Sequence, residues 1–238
     1  MLNLDTPLTT YTSRRITADP RIDLITARHV LNHTTGFPNW RQGKDLPIEF
    51  APGSRNQYSG EGFSYLQAVV EEITGQSLPH DEHGKRIAGK FFTPPSAAEW
   101  TSGVANYGAA AMLLTTPTDY ATLLLEFLNP KPADAFRLNE ASRREMLRPH
   151  IEKTGGWEGL AWALEQHEVT PMLFTHAGQD AGWYCLTAGC VERRSGLMVM
   201  VNGDAFVPFL TKVLADPSGP PPPLEKLWPD FAKRFFAA

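Results

Sequence analysis

Cysteine is nearly missing from this chain. Cys185 and Cys190 are the only two in 238 residues. A separation of five puts them on opposite faces of any one strand, where they cannot bond to each other. They do not form the C-x-x-C spacing of a zinc or redox site, so buried thiols are expected and no oxidising compartment is demanded. An excess of positive charge is missing too. Lys and Arg total 22 against 26 Asp and Glu, for a net charge of −4 and a pI near 6.0. No basic patch stands out, which removes nucleic acid as an expected partner. No apolar run is long enough to span a bilayer. The opening MLNLDTPLTTYTSRR lacks the basic-then-apolar order of a secretory signal. There is no internal repeat.

What is present belongs to an ordinary globular protein, with 42% hydrophobic and 20% charged residues. The length suits one sizeable domain or two small ones, and a single domain over residues 1–238 is expected. Its organising stretch is Phe174 to Asp204. A short strand carries His176-Ala177-Gly178. Trp183 to Val191 then reads as a strand, Arg193 to Gly196 as a turn, and Leu197 to Val201 as a second strand, which together make a hairpin. The apolar run Leu-Met-Val-Met-Val predicts cover on both faces, so helices should pack on this sheet. Ala177 and Gly178 leave the strand bare enough for a ligand or another backbone to approach. His176 is therefore either a site edge or one more structural histidine beside a strand.

Upstream, residues 1–22 are poor in apolar residues and show no period. Thr26 is a good N-cap for a short helix over Ala27 to His33, with Gly36 at the stop. His29 and His33 share a face of that helix, but no Glu follows His29 as H-E-x-x-H requires, and satisfied helix-end histidines are expected instead. Phe37 to Pro52 is a loop carrying Trp40. A helix is predicted from about Gly62 to Gly75, with Phe63, Leu66, Val69, Val70 and Ile73 as its apolar stripe. Tyr58 then sits in the loop at that helix's N-terminus. There, backbone N–H groups and the dipole would favour an anion; a turn tyrosine packed on the core is the equal alternative.

Pro79 to Pro95, with His80, Asp81 and His83, reads as a solvated loop and not a metal cluster, because nothing rigid holds the groups. Thr116-Pro117-Thr118-Asp119 starts a helix whose core stripe is Tyr120, Leu123, Leu124, Phe127 and Leu128. Asn139 to Leu147 forms another. Trp157 to Glu168 is strand-like. Val207 to Leu214 suggests a helix, Pro220 to Pro223 a stiff spacer, and Leu224 to Phe236 a terminal amphipathic helix. Helices flanking late strands predict an α/β protein of the α+β type, with an antiparallel sheet flanked by helices.

Several stretches together resemble the serine β-lactamase-like hydrolases: class C β-lactamases, related esterases and D-alanyl-D-alanine peptidases. Ile25 to Gly36, ITARHVLNHTTG, is similar to the family's "ITvrhLLtHTSG". Phe50-Ala51-Pro52-Gly53 through Tyr58-Ser59-Gly60 to Thr74-Gly75 is similar to "F.PG…YSN…TG". His176-Ala177-Gly178 resembles the K-T-G or H-x-G strand, and Gly108 to Leu124 the "gGl.sTa.Dla.fl" segment. The resemblance touches most of the chain, and the order and spacing of these motifs are more specific than any one of them.

The resemblance implies a β-lactamase/penicillin-binding-protein-like fold. It also implies hydrolysis of an ester or amide through an acyl-enzyme, with no cofactor and no metal. A serine hydroxyl is a poor nucleophile until a nearby base takes its proton, and the charge that grows on the acyl oxygen needs fixed backbone donors. By resemblance, Tyr58 is the base or proton relay, and His176 the cation or hydrogen-bond donor. Gly60 and Gly178 line the substrate, and the Gln179 N–H is the oxyanion donor. Gly60 stands where the family often has Asn, which removes an amide and favours esters or small amides over β-lactams.

The larger departure is the nucleophile. No serine here has Lys three residues later, so the family's S-x-x-K is not in this sequence. The chain resembles the family without its N-terminal strands and nucleophile helix, and short around 78–79. Such a loss would expose core surface worth about 25 cal/mol per Å², to be covered by an oligomeric partner or a further segment. The substrate class is a small acyl compound. The alternative function is a catalytically inactive family member serving as a binding or interaction module. The compartment stays open, since relatives are often exported.

Overall fold

A computed structural model describes residues 2–41, 45–75, 109–110, 113, 116–130, 138–166, 171–180 and 183–202. The expected loop with His80, Asp81 and His83, the short region at 78–79, the helix over Val207 to Leu214, the Pro220 to Pro223 spacer and the helix over Leu224 to Phe236 lie outside the described residues. The chain forms two compact units. One holds residues 1–116 and 150–152, the other 117–149 and 153–238.

In the first unit, α1 (Ala27–Leu31) is capped as predicted. The Thr26 hydroxyl accepts from the His29 N–H, and His29 Nδ1 accepts from the Thr26 N–H. The helix stops earlier than Gly36, however. Asn32 is its C-cap and His33 turns left-handed at φ 56°. Gly36 serves a different end. Its φ is 80° and a Cβ there would lie 2.6 Å from the Phe50 carbonyl, so only glycine fits.

The second helix, α2 (Gly60–Thr74), also departs from its predicted start near Gly62. Ser59 is the N-cap and Gly75 closes the helix in the left-handed region at φ 67°. Its buried face includes Gly62, Tyr65 and Val69, whereas Val70 and Ile73 of the predicted stripe are exposed. Residues 2–22 are more structured than their composition suggested. Two 3-10 turns, Leu8–Thr10 and Pro20–Leu24, bury Leu8 and Ile22 completely. These pack with Ile25, Val30, Phe37, Leu46, Ile48, Tyr65 and Val69 into one core.

The second unit contains α3 (Pro117–Leu128) and α4 (Glu140–Met146), both starting where the sequence places them. Six strands follow along the chain: β1 (Ile151–Lys153), of which residues 151–152 are assigned to the first unit, β2 (Gly156–Glu158), β3 (Ala163–Glu165), β4 (Leu173–Asp180), β5 (Trp183–Cys190) and β6 (Ser195–Asn202). They lie side by side in chain order, and β2 through β6 pair antiparallel. The predicted hairpin is β5–β6, paired from Trp183↔Asn202 to Cys190↔Ser195. Cys185 and Cys190 are free thiols.

Helix α3 packs on β6, where Leu124 and Leu128 rest on Gly196; a Cβ there would meet them at 2.6 and 2.8 Å. Leu123, assigned to the core stripe by spacing, is exposed instead. Leu124, Phe127 and Leu128 join Trp162, Leu164 and Phe174 in the core of this unit. The Phe127, Trp162 and Phe174 rings meet one another at centroid distances of 5.0 to 5.6 Å. Aromatic contacts of this kind are worth about 1 kcal/mol each beyond their area.

Candidate functional site

In the first unit, Tyr58 immediately precedes the N-cap of α2 and is 59% exposed. It is not a core tyrosine. Its ring lies 4.5 Å from that of His33, tilted by 38°. His33 is buried and also packs 5.1 Å from Phe63.

The N–H groups at the start of α2 are already occupied. Gly60 N–H donates to Asn39 Oδ1, Glu61 N–H to the Asn39 carbonyl, and Gly62 N–H to Ser59 Oγ. The expectation that these groups would draw an anion toward Tyr58 is therefore corrected: the chain satisfies them itself.

Gly60 has a second neighbour. The Trp40 indole covers it, and a Cβ at residue 60 would meet ring carbons at 2.5 Å. Trp40 is itself 53% exposed. The loop bearing it is fastened by Arg41, whose Nε and terminal nitrogen reach the two Glu61 oxygens at 3.0 and 2.6 Å. The Arg41 hydrogen bonds hold the Glu61 carboxyl below its ordinary range, against a smaller opposing effect of burial. His33, Trp40, Arg41 and Glu61 were not among the residues chosen from sequence.

In the second unit, β3 pairs only with Leu173, Phe174 and Thr175 of β4. From His176 to Asp180, β4 is paired with β5 alone among the described strands. His176, Ala177 and Gln179 are exposed along this stretch. Among the described residues it is an open strand edge, of the kind that can accept another extended chain. Gly178 is small for a visible reason: a Cβ there would come within 2.9 Å of Cys185 Sγ.

His176 sits edge-on to Trp162 at 6.0 Å. Packing around the ring, and then the charge of Lys153, move its pKa below the ordinary imidazole range. Part of the ring stands in water, which limits that shift. Lys153 in turn pairs with the buried Glu158 at 2.5 Å. Burial raises the Glu158 carboxyl, and Lys153 only partly offsets it.

Among the described residues no cluster of His, Cys, Asp and Glu could hold a metal ion. His29 and His33 are engaged in the α1 cap and with Ser59. No helix of the described residues is long and apolar enough to cross a membrane.

An antiparallel six-stranded sheet accompanied by helices in this way is the β-lactamase and penicillin-binding-protein fold. The family model described as Beta-lactamase matches residues 1–212, and the chain belongs to that family. Penicillin-binding protein 4* of Bacillus subtilis (strain 168) is 20% identical over 244 residues, covering 80% of this chain and 54% of that protein.

Solved structures agree on the fold. The octameric penicillin-binding protein homologue from Pyrococcus abyssi has a TM-score of 0.65 at 17% identity, covering 88% of this chain and 58% of that one. A β-lactamase/D-alanine carboxypeptidase from Yersinia pestis, complexed with citrate, has a TM-score of 0.61 at 18% identity. It covers 85% of this chain and 71% of that one. The chain thus spans little more than half the length of the Bacillus subtilis and Pyrococcus abyssi proteins.

Proposed function

We propose that this chain carries the substrate-handling part of a serine hydrolase that cleaves an ester or small amide through an acyl-enzyme. The observation that carries the reading is the open edge of β4 at His176-Ala177-Gly178-Gln179, beyond the last residue that β3 covers. An extended acyl substrate would add to that edge through its own amide or carbonyl groups. The Gln179 N–H would donate to the oxygen that becomes negative as the acyl carbon turns tetrahedral. Burial and then the Lys153 charge lower the His176 pKa, which favours the neutral imidazole, a hydrogen-bond donor, over the cation. Tyr58, exposed and firmly placed, would serve as base or proton relay to a nucleophilic hydroxyl that this sequence does not carry in an S-x-x-K motif.

The indole over Gly60 supports esters and small amides. It presents a carbon surface where an Asn side chain would offer an amide. The octameric state of the Pyrococcus abyssi homologue supports self-assembly of this chain, which sedimentation would read.

A second reading is favoured by one fact: no serine in the sequence is followed three residues later by lysine. A catalytically inactive member would keep the edge and bind acyl compounds without turnover. Loss of a nucleophilic serine costs on the order of a millionfold in kcat in a hydrolase of another fold, so the two readings differ sharply in one assay. The folded chain is incubated with p-nitrophenyl acetate, and its intact mass is recorded after a fluorophosphonate probe. A burst with one adduct supports the hydrolase, and peptide mapping then names the serine. No turnover and no adduct shows that the chain has no nucleophile of its own, and the assay is then repeated with a segment carrying the family's S-x-x-K motif restored: turnover there supports the substrate-handling part of a hydrolase, and continued silence supports the binding module.

A further inference from the structure

We infer that His33 is the positioning residue for Tyr58, fixing the phenol from three directions at once. The inference rests on the proposed role of Tyr58 but is argued from geometry alone. The His33 carbonyl accepts the Gln57 N–H at 2.7 Å, on one side of Tyr58. Its Nδ1 accepts the Ser59 N–H at 3.2 Å, on the other side. Its ring lies against the Tyr58 ring itself at 4.5 Å. The backbone N–H groups of both residues beside Tyr58 are therefore tied to one residue, which also forms one wall of the phenol's surroundings.

The anchor is itself rigid. His33 is 8% exposed and packs against Phe63 of α2. It adopts a left-handed φ of 56° as the residue that closes α1, with its own N–H on the Val30 carbonyl and the Thr34 N–H on the His29 carbonyl, so the helix end fixes its backbone. A further tie runs alongside, from Asn56 Nδ2 to the Asn32 carbonyl at 3.0 Å. Because Nδ1 accepts from a backbone N–H, the ring proton belongs on Nε2 and the imidazole is the neutral tautomer. Tyr58 thus gains a fixed direction while its side chain stays 59% exposed. A proton relay needs that combination: reach to solvent-borne substrate, with little loss of orientation.

The test uses the whole chain labelled with 3-fluorotyrosine, with the Tyr58 fluorine signal assigned by its loss in Tyr58→Phe. Three variants separate the contacts. His33→Phe keeps a ring and removes the acceptor. His33→Ala removes both. His33→Asn restores an acceptor and tolerates the left-handed backbone. The expected result is a shifted Tyr58 fluorine signal in His33→Phe. Exchange of the Ser59 amide should be about tenfold faster there, as for the loss of one hydrogen bond. His33→Asn should bring the amide exchange back toward the parent.

An unchanged Tyr58 signal and unchanged Ser59 amide exchange in His33→Phe, whatever happens to Tm, would overturn the inference and leave His33 a structural residue. If His33→Ala does not fold, the other two variants still decide. The readout does not depend on turnover, so an inactive chain with a displaced Tyr58 signal would count against the hydrolase reading and not against this one.

Discussion

Trp40 lies on Gly60. Three carbons of its indole fall 2.5, 2.5 and 2.9 Å from the place a Cβ would occupy. The glycine is thus a seat for an aromatic ring, and this gives a physical reason for the departure from the family's Tyr-Ser-Asn pattern. Gly60→Asn should push the indole off the helix start. Because Trp40 is 53% exposed it can swing outward, so the cost should be about 1 kcal/mol, the low end for overpacking. A red-shifted tryptophan emission with a small fall in Tm is the expected outcome. Unchanged emission would mean that the ring does not rest there.

Tyr58→Phe should leave Tm nearly unchanged, since the side chain is 59% exposed and the ring contact with His33 survives. Any hydrolysis of p-nitrophenyl acetate should fall by about a hundredfold or more, the size of a general acid–base contribution. Equal rates in parent and variant would remove Tyr58 from the chemistry.

Much of the fold was legible because its signals are local. Thr26, Pro117 and Asn139 start helices through their own hydroxyl, ring and amide, and each does so in the structure. The β5–β6 hairpin follows from two strand-like runs around a polar turn. The left-handed turn at His33 is the local C-terminal cap of α1, but the contacts His33 makes to residues 57 and 59 were not legible, because those residues lie more than twenty positions away. The same reason hid the roles of Trp40, Arg41 and Glu61. They matter only once the 39–41 loop folds onto the start of α2, and no spacing rule records that. Leu8 and Ile22 were hidden differently: isolated apolar residues in a polar segment have no period, yet each enters the core through a 3-10 turn.

Gly189→Ala should destabilise the second unit. A Cβ at residue 189 would fall 2.3 to 2.9 Å from carbons of the Phe174 ring, which is itself only 2% exposed and packed against Trp162 and Phe127. The ring has little room to yield, so a cost of about 3 kcal/mol is expected, the upper end for overpacking. Denaturant unfolding would read it as a lower midpoint with an unchanged slope. A midpoint equal to the parent's would mean that Phe174 can leave its place.

Lys153 governs two neighbours with opposite chemistry. Its charge disfavours protonated His176 and favours ionised Glu158. Lys153→Met should therefore raise both pKa values, the imidazole toward its ordinary range and the carboxyl further above its own. The consequences for stability have opposite signs in the parent. His176 has a folded-state pKa below its unfolded value, so folding loses stability as pH falls through the interval between the two. Glu158 has a folded-state pKa above its unfolded value, so folding loses stability as pH rises through its interval. Removing the lysine should shrink the first effect and enlarge the second. Above the Glu158 interval, the variant should lose about 3 kcal/mol from leaving a buried carboxylate unpaired. NMR titration of the His176 ring and the Glu158 carboxyl, with Tm recorded across pH, checks both halves. An unmoved His176 titration in Lys153→Met would show that burial alone sets that imidazole.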